Sequence, residues 1–131
     1  MVDGPWRNYD SRTDMAFKFE ELRVWQKAVD LTGEVADLAK NFPKDETYVL
    51  STQIKKAADS IALNIAEGST GQSDKEFNRF LGMALRSGIE VVSCLYIGRR
   101  RKIITDAEFE RFYELLTELI RMIQALRNSL K

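Results

Sequence analysis

Between Glu20 and Phe42, apolar residues recur as Val24, Ala28, Leu31, Val35, Leu38 and Phe42, at alternating steps of four and three. That spacing lines one face of a helix. A second stripe, Leu22, Trp25, Val29, Thr32, Ala36 and Ala39, runs beside the first and widens the apolar face. Pro43 ends the pattern, because it disfavours helical backbone at Phe42 and has no N–H to donate. A second helix is expected from about Asp45 to Glu67, with the core stripe Leu50, Ile54, Ala57, Ile61 and Ile65. Ser51, Ala58, Ala62 and Ala66 add a line of small side chains that lets another helix backbone come close. Gly68 follows, free to take the left-handed conformation that closes a helix.

Ser73 and Glu76 carry the spacing of a capping box and open a third helix that reaches Arg99 or beyond. Phe77, Phe80, Leu81, Ala84, Gly88, Val91 and Leu95 give it one apolar face, and Leu85, Ile89, Val92 and Tyr96 give it another. Gly82, Gly88 and Gly98 each weaken a helix interior by up to about 1 kcal/mol, so they belong where a neighbour needs room. Thr105 and Glu108 repeat the capping box. Behind them Phe109, Phe112, Leu116, Leu119, Ile123, Leu126 and Leu130 keep a heptad seam to the C-terminus, with Arg111, Glu114, Glu118, Arg121 and Arg127 on the wet faces. No segment shows the alternation of a strand. Four amphipathic helices with short connections predict an all-α fold, an antiparallel up-down-up-down four-helix bundle. Residues 19–131 form that bundle, and residues 1–18, where Trp6 and Tyr9 sit among charges of both signs, form a flexible N-terminal extension.

Composition narrows the function classes. A chain of 131 residues that is 44% hydrophobic supplies one domain with one core. Its 20 basic and 20 acidic residues balance, so nucleic acid or an anionic surface would be met only through a local patch. With no unbroken apolar run of about 18 residues and no signal-peptide core, a cytoplasmic protein without a membrane partner is expected. There is no histidine and a single cysteine. Histidine-based acid–base catalysis, Ser-His and Cys-His pairs and the usual zinc sites therefore fall away within one chain. Cys94, among Val91, Val92, Leu95 and Ile97, is expected to be a buried, inert thiol. No catalytic residue, cofactor or metal ligand is expected, and the protein is taken as a non-enzyme.

Two groups of polar residues remain. Gln53, Ser60, Asn64 and Glu67 interrupt the second helix and lie close in angle along it. They form either a polar pocket or interface, or a satisfied hydrogen-bond network that fixes helix register. The network is favoured, since a buried polar group left unpaired costs about 1–3 kcal/mol. Glu67 has no neighbouring acid, nucleophile or metal ligand with which to work. The second group, Arg99, Arg100, Arg101 and Lys102, ends the third helix. Cations there favour the helix dipole by about 0.3–1 kcal/mol each, which is a structural reason for them. In a cyclic assembly the same four would repeat as a band suited to a phosphate backbone.

Gln53, Lys55, Lys56, Ala57, Ala58, Ser60, Ile61, Asn64, Ile65, Ala66, Glu67 and Gly68, followed by Phe77, Phe80, Leu81, Ala84, Ser87 and Glu90, resemble a known family. It is the family of small helical-bundle proteins encoded in intervening sequences of bacterial 23S rRNA genes, long catalogued as ribosomal-protein-like. Leu22, Val24, Trp25, Gln26 and Ala28 resemble its opening helix, and Phe42, Pro43, Glu46 and Tyr48 its first turn, so the likeness spans about Phe19 to Leu126. Two positions depart from the pattern. The family often has arginine at Lys55 and Lys56, and lysine lacks arginine's planar two-pronged contact. It often has proline at Ala62, whose kink here loses its cause. The resemblance implies a ring-shaped homo-oligomer, commonly a pentamer, acting as a scaffold for RNA or a ribonucleoprotein. Lys55 and Lys56 then join Arg99, Arg100, Arg101 and Lys102 as a candidate nucleic-acid patch. Gln53, Ser60, Asn64, Glu67, Ser87 and Glu90 become candidate register or assembly residues. Distant relatives, the accessory proteins of diversity-generating retroelements, imply an alternative partner, a protein such as a reverse transcriptase.

Overall fold

The computed structural model describes residues 17–71 and 73–130. Among these the chain forms four α-helices and no strand: α1 (Arg23–Ala39), α2 (Thr52–Gly68), α3 (Asp74–Arg100) and α4 (Asp106–Ser129). Most of the expected N-terminal extension, with Trp6 and Tyr9, lies outside the described residues. Phe17 and Lys18 do not: Lys18 opens a 3-10 turn, Lys18–Glu21, whose Phe19 stacks with Phe17 and lies tilted against Trp25 of α1.

The helix interiors follow the stripes, while their ends differ from expectation. α1 starts at Arg23 rather than Glu20 because Leu22 is extended, and the Gln26 side chain donates 2.8 Å to the Glu20 carbonyl to tie the leading turn down. It stops at Ala39, three residues before Phe42. Asn41 and Phe42 donate to the Leu38 and Ala39 carbonyls in a tightened last turn, and Phe42 folds back into the core. The helix expected from Asp45 is preceded by a 3-10 turn, Lys44–Glu46, and a π-helical turn, Thr47–Ser51. This wide turn leaves Val49 exposed and Leu50 buried. α2 then runs unbroken through Ala62.

Gly68 corrects the sequence reading. It is the last residue of α2, and the glycine with positive φ is Gly71, at +93°. A Cβ on Gly68 would stand 2.5 Å from the Phe80 Cβ and 3.1 Å from Phe77 Cδ1. The residue is therefore small because α3 crosses it there, which the local rule for helix ends does not distinguish from a cap.

At the start of α3 the Ser73 hydroxyl accepts from the Glu76 N–H at 3.1 Å. The Glu76 carboxylate turns to Arg79 instead of reaching back, so the box is half made. That hydrogen bond holds the Glu76 carboxyl below the usual carboxylate range. At α4 both halves form, at 3.1 and 2.9 Å. Phe109, Phe112, Leu116, Leu119 and Ile123 are buried along its seam, facing Val24, Ala28, Leu31 and Val35 of α1 and Ile54, Ile61 and Ile65 of α2 in one core; Leu126 and Leu130 are partly buried. Neighbouring helices pair rising numbers with falling ones. Ser60 meets Ser87, and Gln53 meets Glu90. Gly88 meets Ile120, and Tyr96 meets Phe109. Lys27 meets Glu118, and Glu34 meets Arg111, so α4 closes back on α1.

Gly68→Ala is expected to lower stability by about 1–3 kcal/mol, because the added methyl overpacks the crossing. Gly33, inside α1 with nothing within 4 Å of its would-be Cβ, gives the opposite sign: Gly33→Ala should raise stability by about 0.5–1 kcal/mol. Urea unfolding midpoints of the two variants check the pair.

Candidate nucleic-acid and assembly interface

Two of the polar residues of α2, Ser60 and Gln53, find partners on α3, and Asn64 bonds within α2. Ser60 Oγ accepts from Ser87 Oγ at 2.9 Å and from Asn64 Nδ2 at 3.0 Å, and the same Asn64 amide donates to the Ser60 carbonyl at 2.8 Å. Two turns toward the start of α2, Gln53 Nε2 donates to Glu90 Oε2 at 2.7 Å. Five of the six candidate register residues thus meet along one seam. Glu67 stands apart, exposed, with its charge acting on Arg79. A slip of one turn, about 5.4 Å, would break both bonds that join the helices, Ser87 to Ser60 and Gln53 to Glu90.

Between the π-helical turn and α3 lies an open depression of about 250 Å³, bordered by Val49, Gln53, Glu90, Cys94, Ile97 and Arg101. Cys94 is 2% exposed. Burial first, and the Glu90 carboxylate second, push its thiol above the ordinary range. It is thus protonated at neutral pH and a poor nucleophile. No cluster of potential metal ligands occurs among the described residues.

The six cations of the candidate nucleic-acid patch divide into three situations. Arg99 is held: its guanidinium lies 3.7 Å over the Phe109 ring and 5.3 Å from that of Tyr96, a cation–π contact that joins α3 to α4. Arg101 reaches Glu46 at 3.4 Å, a long and exposed pair. Arg100 and Lys102 are exposed and make no ion pair among the described residues. Lys55 and Lys56, equally exposed, line a separate shallow depression on α2 with Asp59 and Leu63. The patch is therefore two pairs of free cations rather than one continuous cluster. Lys102 has a φ of +62°. Its N–H bonds to the Arg99 carbonyl, while Ile103 and Ile104 both donate to the carbonyl of Gly98, closing the end of α3.

The family model described as 23S rRNA-intervening sequence protein matches residues 20–125. The chain belongs to that family. A solved structure from Bacteroides thetaiotaomicron VPI-5482, described as a protein of unknown function from the S23 ribosomal protein family, is similar at 25% identity and a TM-score of 0.75. The likeness covers 80% of this chain and 95% of that one. No curated protein matches the chain. Membership brings this 23S rRNA-intervening sequence protein a fold and a family whose structural neighbour has no assigned activity.

Sequence reasoning missed two features of the surface. Arg127, expected on a wet face, is half-buried and exchanges hydrogen bonds of 3.1 Å with Asn78, its Nε donating to Oδ1 and its carbonyl accepting from Nδ2. The second apolar face of α3 is only partly covered: Leu85 and Val92 pack on the core while Ile89 and Tyr96 are exposed. By length and composition α3 is apolar enough to cross a membrane, against the expectation of no such stretch, and 33% of its most apolar stretch is buried within the fold. Arg86 and Glu90 hid this by interrupting the apolar run.

Cys94 in the native protein is expected to react with a thiol reagent at least about 100-fold more slowly than in urea, as for a protonated thiol that must be exposed by opening. The sign of the pH effect follows from its raised pKa. Stability from the protonated thiol is complete below the ordinary thiol range and falls as pH rises toward the native value. Absorbance of the released reagent against time, with urea melts at neutral and alkaline pH, measures both.

Proposed function

We propose that this 23S rRNA-intervening sequence protein is a non-enzymatic scaffold that assembles with copies of itself, in the pentameric ring that the family resemblance implies, and contacts RNA through Arg100, Lys102, Lys55 and Lys56. The observation that carries the reading is the backbone at Lys102. A residue with a Cβ in the left-handed region costs about 1–2 kcal/mol more than glycine does there. The helix dipole does not call for it, since Arg99 and Arg100 already place cations on the last turn and Arg101 another at the cap. A cation kept at a strained position, exposed and unpaired, is instead suited to a ligand's charge. Arg100 beside it is equally free, and cyclic repetition would turn the pair into a band. The expected compartment is the cytoplasm, where RNA is at hand.

Lys102→Gly is therefore expected to act in opposite directions on stability and on binding. Stability should rise by about 0.5–1 kcal/mol, the relieved strain less the entropy that glycine adds to the unfolded chain. Affinity for a structured RNA should fall, and the slope of log affinity against log salt should lose about 1 for the removed phosphate contact. Arg100→Gln should lower the slope by a similar amount without the gain in stability. If neither variant alters affinity or slope, RNA leaves the account and a protein partner becomes the reading to pursue.

A further inference from the structure

Three aromatic rings meet where α3 ends and α4 begins. Phe109 lies in the middle, 3% exposed, with the Tyr96 ring edge-on to it at 4.9 Å and the Tyr113 ring stacked beside it at 5.6 Å. The two outer rings reach solvent: Tyr96 is 48% exposed and Tyr113 39%. Phe109 belongs to the shared core, so it anchors the row, and the tyrosines pack on it from α3 and from the next turn of α4. A tyrosine held in this way loses little freedom when a flat group stacks on its open side.

Cations border the row on the α3 side. The Arg99 guanidinium lies over Phe109 at 3.7 Å and 5.3 Å from Tyr96. A contact to a ring face leaves the N–H edge of the guanidinium unused, and among the described residues that edge makes no hydrogen bond or ion pair. Arg100 follows Tyr96 by four residues, about 6 Å along the same side of α3. Lys102 stands just beyond, in its left-handed conformation. On the α4 side the border is acidic: Asp106 precedes Phe109 by three residues and Glu110 precedes Tyr113 by three, both exposed. Those carboxylates repel a phosphate and do not oppose a neutral base. The two borders therefore sort the parts of a nucleotide, its phosphate toward the end of α3 and its base toward the rings.

We propose that Tyr96 and Tyr113 are stacking platforms for unpaired bases of the RNA whose phosphates meet Arg100 and Lys102, with the N–H edge of Arg99 between them. This assignment rests on the RNA contact proposed above and names the kind of RNA, a single strand or a loop whose bases can turn outward. A paired helix offers its phosphates to the cations but keeps its bases stacked on one another, out of reach of the rings. Every base has a π face, so the site reads strandedness rather than sequence.

The test compares an oligouridylate of about ten nucleotides, a length within the range of single-strand sites, with the same strand paired to oligoadenylate. Affinity is read by fluorescence anisotropy of the labelled strand. Wild type is expected to prefer the single strand at least about tenfold. Tyr96→Leu with Tyr113→Leu should weaken that binding by about 5- to 150-fold for each base that stacks. The slope of log affinity against log salt should not change, because no charge is removed. Tyr96→Phe with Tyr113→Phe keeps both rings and should stay within about twofold of wild type. Circular dichroism confirms that the helices persist; should the leucine pair lose them, Tyr113→Leu alone replaces it, with a loss in the same direction. Equal affinity for single strand and duplex, a leucine variant that binds as wild type does, or a phenylalanine variant as weak as the leucine one overturns the stacking site and leaves the RNA contact standing. A wild type that binds neither form overturns both.

Discussion

The close approach of α2 and α3 at Gly68 sets the register on which the rest of the bundle depends. Phe80 occupies the space where any other residue would place its Cβ, so α3 cannot move inward or slide by a turn without a clash. Further along, Ser60 with Ser87 and Gln53 with Glu90 hold the same pair at two more levels. Apolar packing alone tolerates such slips, since one leucine or isoleucine replaces another at modest cost. Hydrogen bonds do not, because their partners must coincide. α4 inherits this register from α3 through Gly88 against Ile120 and through the exchange between Asn78 and Arg127. Outside the shared core, the last contact, α4 on α1, adds only exposed ion pairs, each worth about 0–1 kcal/mol. That edge is the least constrained.

Much of this could be read from residue order, because burial in a helix leaves a period. Leu50, Ile54, Ala57, Ile61 and Ile65 are all buried, as are the first five residues of the α4 seam. The capping box at Thr105 forms because both of its partners are local. Features decided by distant residues were not legible. Glycine at a helix end means a left-handed cap in one chain and a tight crossing in another, and only Phe80 decides which. The basic run was visible, yet its division was not. The ring that holds Arg99 belongs to Phe109, beyond the turn, and the carboxylate that draws Arg101 belongs to Glu46, before α2. Glu67 was grouped with Gln53, Ser60 and Asn64 by angle. What separates it is the residue that α3 brings near its level, a charged Arg79 rather than a serine or a carboxylate.

The interior explains why function has to be sought at the surface. The described residues leave no buried side-chain nitrogen or oxygen without a hydrogen-bond partner. The Cys94 thiol is held protonated by its surroundings. The polar side chains of the α2/α3 seam are hydrogen-bonded to one another, both across the helices and along α2. What the fold leaves uncommitted lies outside: exposed apolar groups on α3 and cations at its end.

Those two kinds of surface are coupled by salt. Charge contacts across a subunit boundary and contacts to phosphate both weaken as ions screen them, over about 8 Å at physiological ionic strength. Apolar burial does not weaken in this way, since the hydrophobic contribution follows apolar area. In the proposed assembly, rising salt would therefore remove RNA before it separates copies held by apolar contact. The strained backbone at Lys102 would then matter most in the assembled state. Lys102, held beyond the end of α3 at a φ of +62°, would stay free there to meet a phosphate.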